Sequence, residues 1–419
     1  MTMSTQDVDC ALAFDKNNLK YQTKIYDTQK SLIVAFLVAF CGGSQKTIIS
    51  ERRGDMSGTE PTWGVVATVD EPAVLVAAFV RHHLAIGASE VHLFLDRPHP
   101  GLAPLVEGLK GCFVTLCDAQ YWEKSSIGFR PEYHIRRQKH NANIAFHHTQ
   151  CDWLLHCDAD EFVDNGDRIK ASLALFHDAQ QDAVIPYLGI KLRNNERVWC
   201  PDAKPNTSSD SSWGQTTVFD GGFRFSTTLY DDVIREKFKP FGMYLKHGLS
   251  GHCSGKTMSP VGADLELGIH RAFKTGTHDP VNRTSSTAIL HHFDGLTPLH
   301  YILKMLKRGY ETPNGPRSRQ APHRSGTPPR KGSHRRMDQA LFIRKNASDG
   351  AKMKRFVRMV KSVNAAQIER YNAFLAFDTT PFDLRGCAEL DLSAASFDAA
   401  LLAENMEFFE MAGLAYWGD

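Results

Sequence analysis

Few features of this chain are extreme, and what is scarce narrows the field first. Its 419 residues include nine cysteines, an odd number, and no two of them form a C-x-x-C pair. A disulfide framework and a zinc site of common spacing are therefore not expected, and a reducing compartment is. His252-Cys253 comes nearest to a metal-ligand pair and reads as an incidental neighbour. A net charge of +2 supplies no global field for nucleic acid or a membrane surface. The longest apolar run, residues 32–41, is too short to cross a bilayer. Lys24 and Lys30 before it and Gly42-Gly43 after it resemble the flanks of a signal-peptide core, but no A-x-A cleavage site follows. Residues 1–60 are read as an extension of unassigned role. No internal repeat is found.

What is present is an ordinary globular composition, 42% apolar and 23% charged, long enough for one large domain with appendages or for two. Apolar runs at 64–69, 91–95, 113–116 and 153–157 predict buried strands. Segments 73–86, 102–109 and about 132–148 predict helices between them, with Gly87 stopping the first. Strands alternating with helices mean a parallel sheet with covered faces, which binds ligands at the carboxyl ends of its strands. Asp70, Asp96, Asp118 and Asp158 all fall at such ends, giving an acidic rim on one edge.

From about residue 183 the pattern turns irregular, with short strands expected at 183–187 and 189–192 and a polar loop at 202–212. A short apolar run at 289–293 precedes a helix at 298–308. Segment 313–336 holds five prolines and six arginines, so it reads as a flexible loop. An electrostatic contact with anionic lipid or acceptor is the functional alternative for it. Residues 337–377 look helical, and the last forty form a modestly acidic tail. The expected division is 1–60, 61–310, a basic loop at 311–337 and a helical region at 338–419.

The sharpest signal is Asp158-Ala159-Asp160-Glu161 directly after the apolar Trp153-Leu154-Leu155. In an extended backbone Asp158 and Asp160 point to one side, and carboxylates that close need a cation or a shared proton between them. An EF-hand count fails, because Phe162 and Val163 stand where a ligand and a glycine belong. A haloacid-dehalogenase-type phosphatase would use Asp158 as nucleophile and Asp160 as acid. That motif usually sits on the first strand with Thr or Val two residues on. Here several strand-helix units precede it and Phe162 takes that place, which weakens the phosphatase reading without removing it. A sugar-nucleotide transferase puts Asp-x-Asp after a nucleotide-binding half, where it holds a cation on the diphosphate. Chain order favours this one. A catalytically silent nucleotide-sugar-binding module is the third possibility.

The chain also resembles bacterial family 2 glycosyltransferases over roughly residues 63–310. The resemblance rests on Asp70-Glu71 before a helix, Gly87-Ala88 with the segment from Val91 to Asp96, and Arg137-Gln138 with Asn141. It continues in the most specific stretch, WLLHCDADEF from Trp153 to Phe162, then in Gly255-Lys256, Gly268-Ile269-His270 and His292-Phe293 with Lys304 and Arg308-Gly309. It implies an α/β, GT-A-like fold with a Rossmann-type, mostly parallel sheet, an irregular C-terminal half and a helical C-terminal region. It also implies a metal-dependent, inverting transfer from a nucleotide-sugar donor to a hydroxyl on a glycan, lipid or polysaccharide, with Mn²⁺ or Mg²⁺. On that basis Thr68, Glu71, Asp96 and Arg137 would bind the donor and Lys256 would counter phosphate charge. Asp158, Asp160 and His292, or alternatively His270, would meet the metal, and Asp264 and Glu266 are candidates for the base. No nucleic-acid partner is expected, and the location implied is cytoplasmic, with a peripheral contact to the inner face of the membrane as an option. Each residue has a plain role as well: Glu71 starts a helix, Asp96 forms a turn, and the histidines fill a core.

Overall fold

In the strand β1 (Trp63–Val69), every residue except Thr68 is buried, as a central parallel strand requires. The computed structural model describes residues 60–200, 217–239, 242–311, 335–372 and 375–414. From Pro61 onward they belong to one compact unit. β1 pairs in parallel with β2 (Glu90–Leu95) and with β4 (Trp153–His156), and β2 pairs in parallel with β3 (Cys112–Leu116). The helix α1 (Ala73–Ala85) covers one face with Leu75 to Val80. Gly87 turns the chain out of it at φ +102°, a left-handed conformation that glycine adopts without a side-chain clash. Between the strands lie a single turn, α2 (Ala103–Val106), then α3 (Ala119–Lys124) and α4 (His134–His148). α4 buries Arg137, Asn141, Ala142, Ala145 and Phe146, one face at helical spacing.

The polypeptide then changes habit. β5 (Glu161–Val163) follows the acidic tip at once, and α5 (Gly166–Asp182) begins at Asn165, whose side chain accepts from Asp167 N at 2.7 Å. β6 (Ile190–Val198), β7 (Gly222–Phe225) and β8 (Lys256–Pro260) extend the sheet in antiparallel fashion, β8 lying against β4. The short helix α6 (Asp231–Lys237) lies between β7 and β8, and β9 (Leu265–Leu267) with β10 (Ala272–Lys274) makes a separate hairpin. β11 (Thr284–His292) pairs in parallel with β6 and antiparallel with β5, in a register that sets His292 opposite Glu161. That register brings the histidine to the tip.

Helices close the chain: α7 (Pro298–Glu311), α8 (Arg335–Lys345), α9 (Gly350–Lys361), α10 (Ala365–Tyr371) and α11 (Ala394–Met411), with the two-residue strand β12 (Phe377–Asp378) before the last. α7 buries Leu299, Ile302, Leu303 and Leu306, which leaves Lys304 and Lys307 on its opposite side. The fold is α/β with a Rossmann-type parallel half in the order β3-β2-β1-β4, an irregular second half and a helical C-terminal region, as the GT-A-like reading expects.

Several expectations change. The helix expected at 102–109 is the single turn α2, because Gly108 and Gly111 adopt positive φ. No strand forms at 183–187, whereas β6 runs to Val198. The helical stretch at 337–377 is cut where Asp349 caps α9 and Asn364 makes a capping box on α10. The acidic tail holds the 18-residue helix α11. The extension at 1–59, the loop at 202–212 and most of the basic segment lie outside the described residues. Arg335 and Arg336, its last two members, are helical. Among the described residues no helix is long and apolar enough to cross a membrane.

Candidate functional site

Packing anchors the acidic tip. Phe162, fully buried, meets Phe219 at 5.1 Å and Phe293 at 5.5 Å between ring centres. A buried phenylalanine of this kind contributes about 1.5–3 kcal/mol. Phe293 N donates to Asp160 O at 2.8 Å, while Asp158 N donates to Glu161 Oε2 at 2.9 Å. The backbone is thus tied on both sides of Ala159.

The positive charge that the carboxylates need comes partly from lysines. Lys256 Nζ donates to Asp158 Oδ2 at 3.0 Å and lies 3.1 Å from Glu161 Oε2, and Gln138 donates to Asp158 Oδ1 at 2.9 Å. Lys304 Nζ reaches Asp160 Oδ2 at 2.5 Å, with His292 Nε2 3.5 Å from the same oxygen. Burial by itself would raise both aspartates, but Lys256 holds Asp158, and Lys304 with His292 holds Asp160, well below the carboxylate range. Burial would lower His292, yet Asp160 pushes it up to about 9, so the imidazole must give up a proton before it can ligate a metal. Lys256 is completely buried, and its charge goes to Asp158 and Glu161.

Asp160, His292 and Asp294 form a buried group that can hold a divalent metal, with one ligand atom from each lying within 4.8 Å of the others. Among the described residues, Asp160 Oδ1 and His292 Nδ1 are buried without a hydrogen-bond partner. A methyl group at Gly251 would lie in ordinary contact with this group, 3.5 Å from His292 Nδ1 and 3.6 Å from Asp294 Oδ2. Two carboxylates and an imidazole suit a hard or borderline cation, and the residues fit one. Asp158 stands outside this group. His270 does too: its Nδ1 lies 3.0 Å from Gly255 O and its ring stacks on His252 at 3.9 Å.

Beside the tip, at the carboxyl ends of β1 and β2, is a cavity of about 190 Å³. Thr68, Asp70, Glu71, Asp96, Arg137 and Gln138 line it from the parallel half, and Lys304, Lys307, Arg308, Arg336 and Asn405 from the C-terminal helices. Thr68 Oγ1 accepts from Asn141 at 3.0 Å. Arg137 is committed to Asp96, with contacts of 2.8 and 2.6 Å, and to the carbonyls of Pro131 and Glu132. Asp70 bonds Arg97 and accepts from Lys307 at 2.8 Å. Glu71 is pushed up to about 7, by burial and by Asp160 against the pull of Lys304. Asp118 instead caps α3, accepting from Tyr121 N at 2.8 Å. Asp264 and Glu266 are exposed at the β9 hairpin, and neither lines the cavity.

Sequence reasoning missed Asp294, Lys307, Arg336 and Asn405. Asp294 had a signal, since His292-x-Asp294 repeats at the end of β11 the alternation that flagged Asp158 and Asp160. Arg336 binds Asp294 Oδ2 at 2.6 Å from α8, and Asn405 enters from a non-helical turn inside α11, and no local pattern announces either.

No protein-family profile matches the chain, and no curated protein matches it. Among solved structures it is similar to a CMP:2-keto-3-deoxy-manno-octonic acid synthetase complexed with CTP, at 11% identity over 33% of this chain and 53% of that one, TM-score 0.21. It is also similar to HddC from Yersinia pseudotuberculosis, at 9% identity over 57% and 96% of the two chains, TM-score 0.27. A third is mannose-1-phosphate geranyltransferase from Thermus thermophilus, at 11% identity over 39% and 48%, TM-score 0.20. The chain spans about half the length of the first and third of these, and at such scores the likeness speaks to neither ligand nor reaction.

Proposed function

We propose that this protein transfers a sugar from a nucleoside-diphosphate sugar to a hydroxyl of a glycan, lipid or polysaccharide, with inversion, as the resemblance to family 2 glycosyltransferases implies. The observation that carries the reading is the cavity at the ends of β1 and β2, where an acidic rim faces Lys304, Lys307, Arg308 and Arg336 beside a buried Asp-His-Asp group.

A departing diphosphate concentrates negative charge, and cations already fixed in place stabilise it without reorganising. Asp160 orients Lys304 and Asp70 orients Lys307 for that task. Mn²⁺ or Mg²⁺ held by Asp160, His292 and Asp294 would add Lewis-acid stabilisation of the same leaving group. Thr68 and Asp96, on the opposite wall, take the nucleoside. Glu71 lies in the same cavity with a carboxyl near neutrality, which suits it to accept the proton of the acceptor hydroxyl. Asp264 and Glu266 face solvent and are the weaker candidates for that step. The work is cytoplasmic in this reading, with the basic segment before α8 as a peripheral contact to the membrane.

The test is a panel of nucleoside-diphosphate sugars with Mn²⁺, read by thermal shift and donor hydrolysis. Metal-dependent stabilisation by a nucleoside diphosphate, abolished in Asp160→Asn, supports the proposal. Phosphate release from simple phosphomonoesters, with no response to any nucleotide sugar, overturns it in favour of the phosphatase.

A further inference from the structure

The ten-stranded sheet is finished differently at its two ends. At one end stands β12, two residues long and carrying Asp378. At the other stands β3, which pairs among the described residues with β2 alone, in an unbroken register from Cys112 to Leu116. Extreme shortness, charge, proline and bulges are what keep a free strand edge from pairing. β3 reads CFVTL and has none of them. Its backbone settles which groups are free. Cys117 N donates to Leu95 O and Gly111 O accepts from Val91 N, so these residues face β2. Alternation turns Phe113 and Thr115 the same way and leaves the N–H and C=O of Cys112, Val114 and Leu116 pointing outward. The side chains of these three stand beside Val91, Leu93 and Leu95 of β2, which belong to the core. The apolar layer thus runs on to the edge, where Val114 is 47% and Leu116 41% exposed. On the other face Phe113 lies flat on His92, 5.0 Å between ring centres, and is 48% exposed.

We propose that β3 is an interface between two copies of this chain, paired antiparallel about a two-fold axis at Val114. The sheet of one protomer then continues into its partner. In that register every outward-facing residue meets another, Val114 the partner's Val114 and Cys112 the partner's Leu116, and each pair exchanges both backbone hydrogen bonds. Directly opposite residues share a face, so the apolar layer crosses the junction. The flanking charges agree as well. Lys110 comes opposite the partner's Asp118, twice by symmetry, and both are exposed. Moving the axis to Phe113 or Thr115 separates them and sets Lys110 against Leu116 or Gln120 instead. A second copy supplies both the same uncharged strand and the complementary charge, which commits the edge to it.

Sedimentation velocity on the full chain tests this. A reversible dimer is expected, with a Kd on the order of 10 μM for an interface at the small end of the range. Val114→Lys sets two ammonium groups against each other at the axis and should weaken association at least about tenfold. Val114 is half exposed, so the circular dichroism of that variant should match the wild type. Lys110→Glu, away from the axis, should weaken association about fivefold, and adding Asp118→Lys to it should restore the dimer. A monomer at every concentration up to about 100 μM overturns the pairing. A dimer that Val114→Lys leaves intact overturns β3 as the interface, and failure of the double charge reversal to rescue overturns the register at Val114.

Discussion

In the parallel half of the molecule β1, β2 and β4 end in Asp70, Glu71, Asp96, Asp158 and Asp160, whereas the half after residue 250 sends Lys256, Lys304 and Lys307 to meet them. The acids arrive from strand ends and the bases from β8 and α7. Asp96 departs from this, held by Arg130 and Arg137 of its own half, and Asp70 is shared between Arg97 of its own half and Lys307. The difference teaches where the site is assembled: Asp96 has its countercharge nearby in sequence, while Asp158 and Asp160 acquire theirs only when the second half closes. A like-charged rim without those lysines would repel itself, so the second half completes the site.

The strongest way to break this arrangement is Lys304→Ala. It leaves Asp160, which is 0% exposed, with His292 alone beside it, and removes the opposite charge near Glu71. Removing one partner of a buried pair costs about 3–5 kcal/mol, read from urea midpoints. Donor turnover should fall at least about 100-fold if Lys304 stabilises the leaving diphosphate. Unchanged stability would show that the two halves are not joined at this pair.

Titration compares the halves next. His82, His83 and His156 in the first half, and His270, His291 and His300 in the second, are depressed by burial to about 3 or 4. Below about 6.5 the unfolded chain takes up protons that the folded one refuses. Stability is therefore full above that pH and is lost as pH falls, by about 1.4 kcal/mol per pH unit for each such histidine. His292, raised to about 9, has the opposite sign: its contribution is full below about 6.5 and is lost as pH rises through 9. Melting temperatures in chelator-treated protein should thus fall steeply on the acid side. They should fall gently on the alkaline side, and His292→Gln should flatten only the alkaline limb.

Glu71→Gln addresses the chemistry with less effect on stability. If the carboxyl takes the acceptor's proton, kcat falls about 100-fold with KM for the donor nearly constant. A rise in KM with kcat intact would return Glu71 to a nucleoside-binding role.

How much of this was legible follows from the same contrast. β1 and β4 could be read because their apolar runs are buried by local logic and end in acids. β6 could be read only at its start, where a strand was expected at 189–192; beyond it Asn194, Asn195, Glu196 and Arg197 are all buried, so the run looks like a polar loop. Their partners are far away in sequence: Gly255 N for Asn194, His291 for Asn195, Lys361 for Glu196, and the carbonyls of Gly295 and Leu296 for Arg197, while Asn195 Oδ1 and Arg197 Nε stay unpaired among the described residues. Buried polar groups need such partners, but distant partners leave no periodicity. At the site, Asp160 was flagged by its own neighbourhood and His292 only by the family resemblance; both lie in one buried group with Asp294, and Thr68, Glu71, Asp96 and Arg137 share a cavity. Arg336 and Asn405 arrive on helices whose placement no nearby residue dictates.

The smallest expected effects test whether contact across the halves matters at all once it reaches solvent. Arg81–Glu389 at 3.2 Å and Arg97–Glu404 at 2.9 Å reverse the usual pattern, with the base in the first half and the acid in the second. The Glu389 side chain is 81% exposed and should be nearly silent, so Glu389→Gln should change unfolding free energy by less than about 0.5 kcal/mol. Glu404 is 29% exposed and shares Arg97 with Asp70, which in turn holds Lys307. Glu404→Gln should therefore cost under about 1 kcal/mol, with donor KM shifting about threefold or less as Arg97 tightens on Asp70 and loosens Lys307. Were Glu404→Gln as damaging as Lys304→Ala, burial would not be what separates the two kinds of pair. The decisive quantity would then be the connection to Asp70, and the comparison would have to be redrawn around that residue.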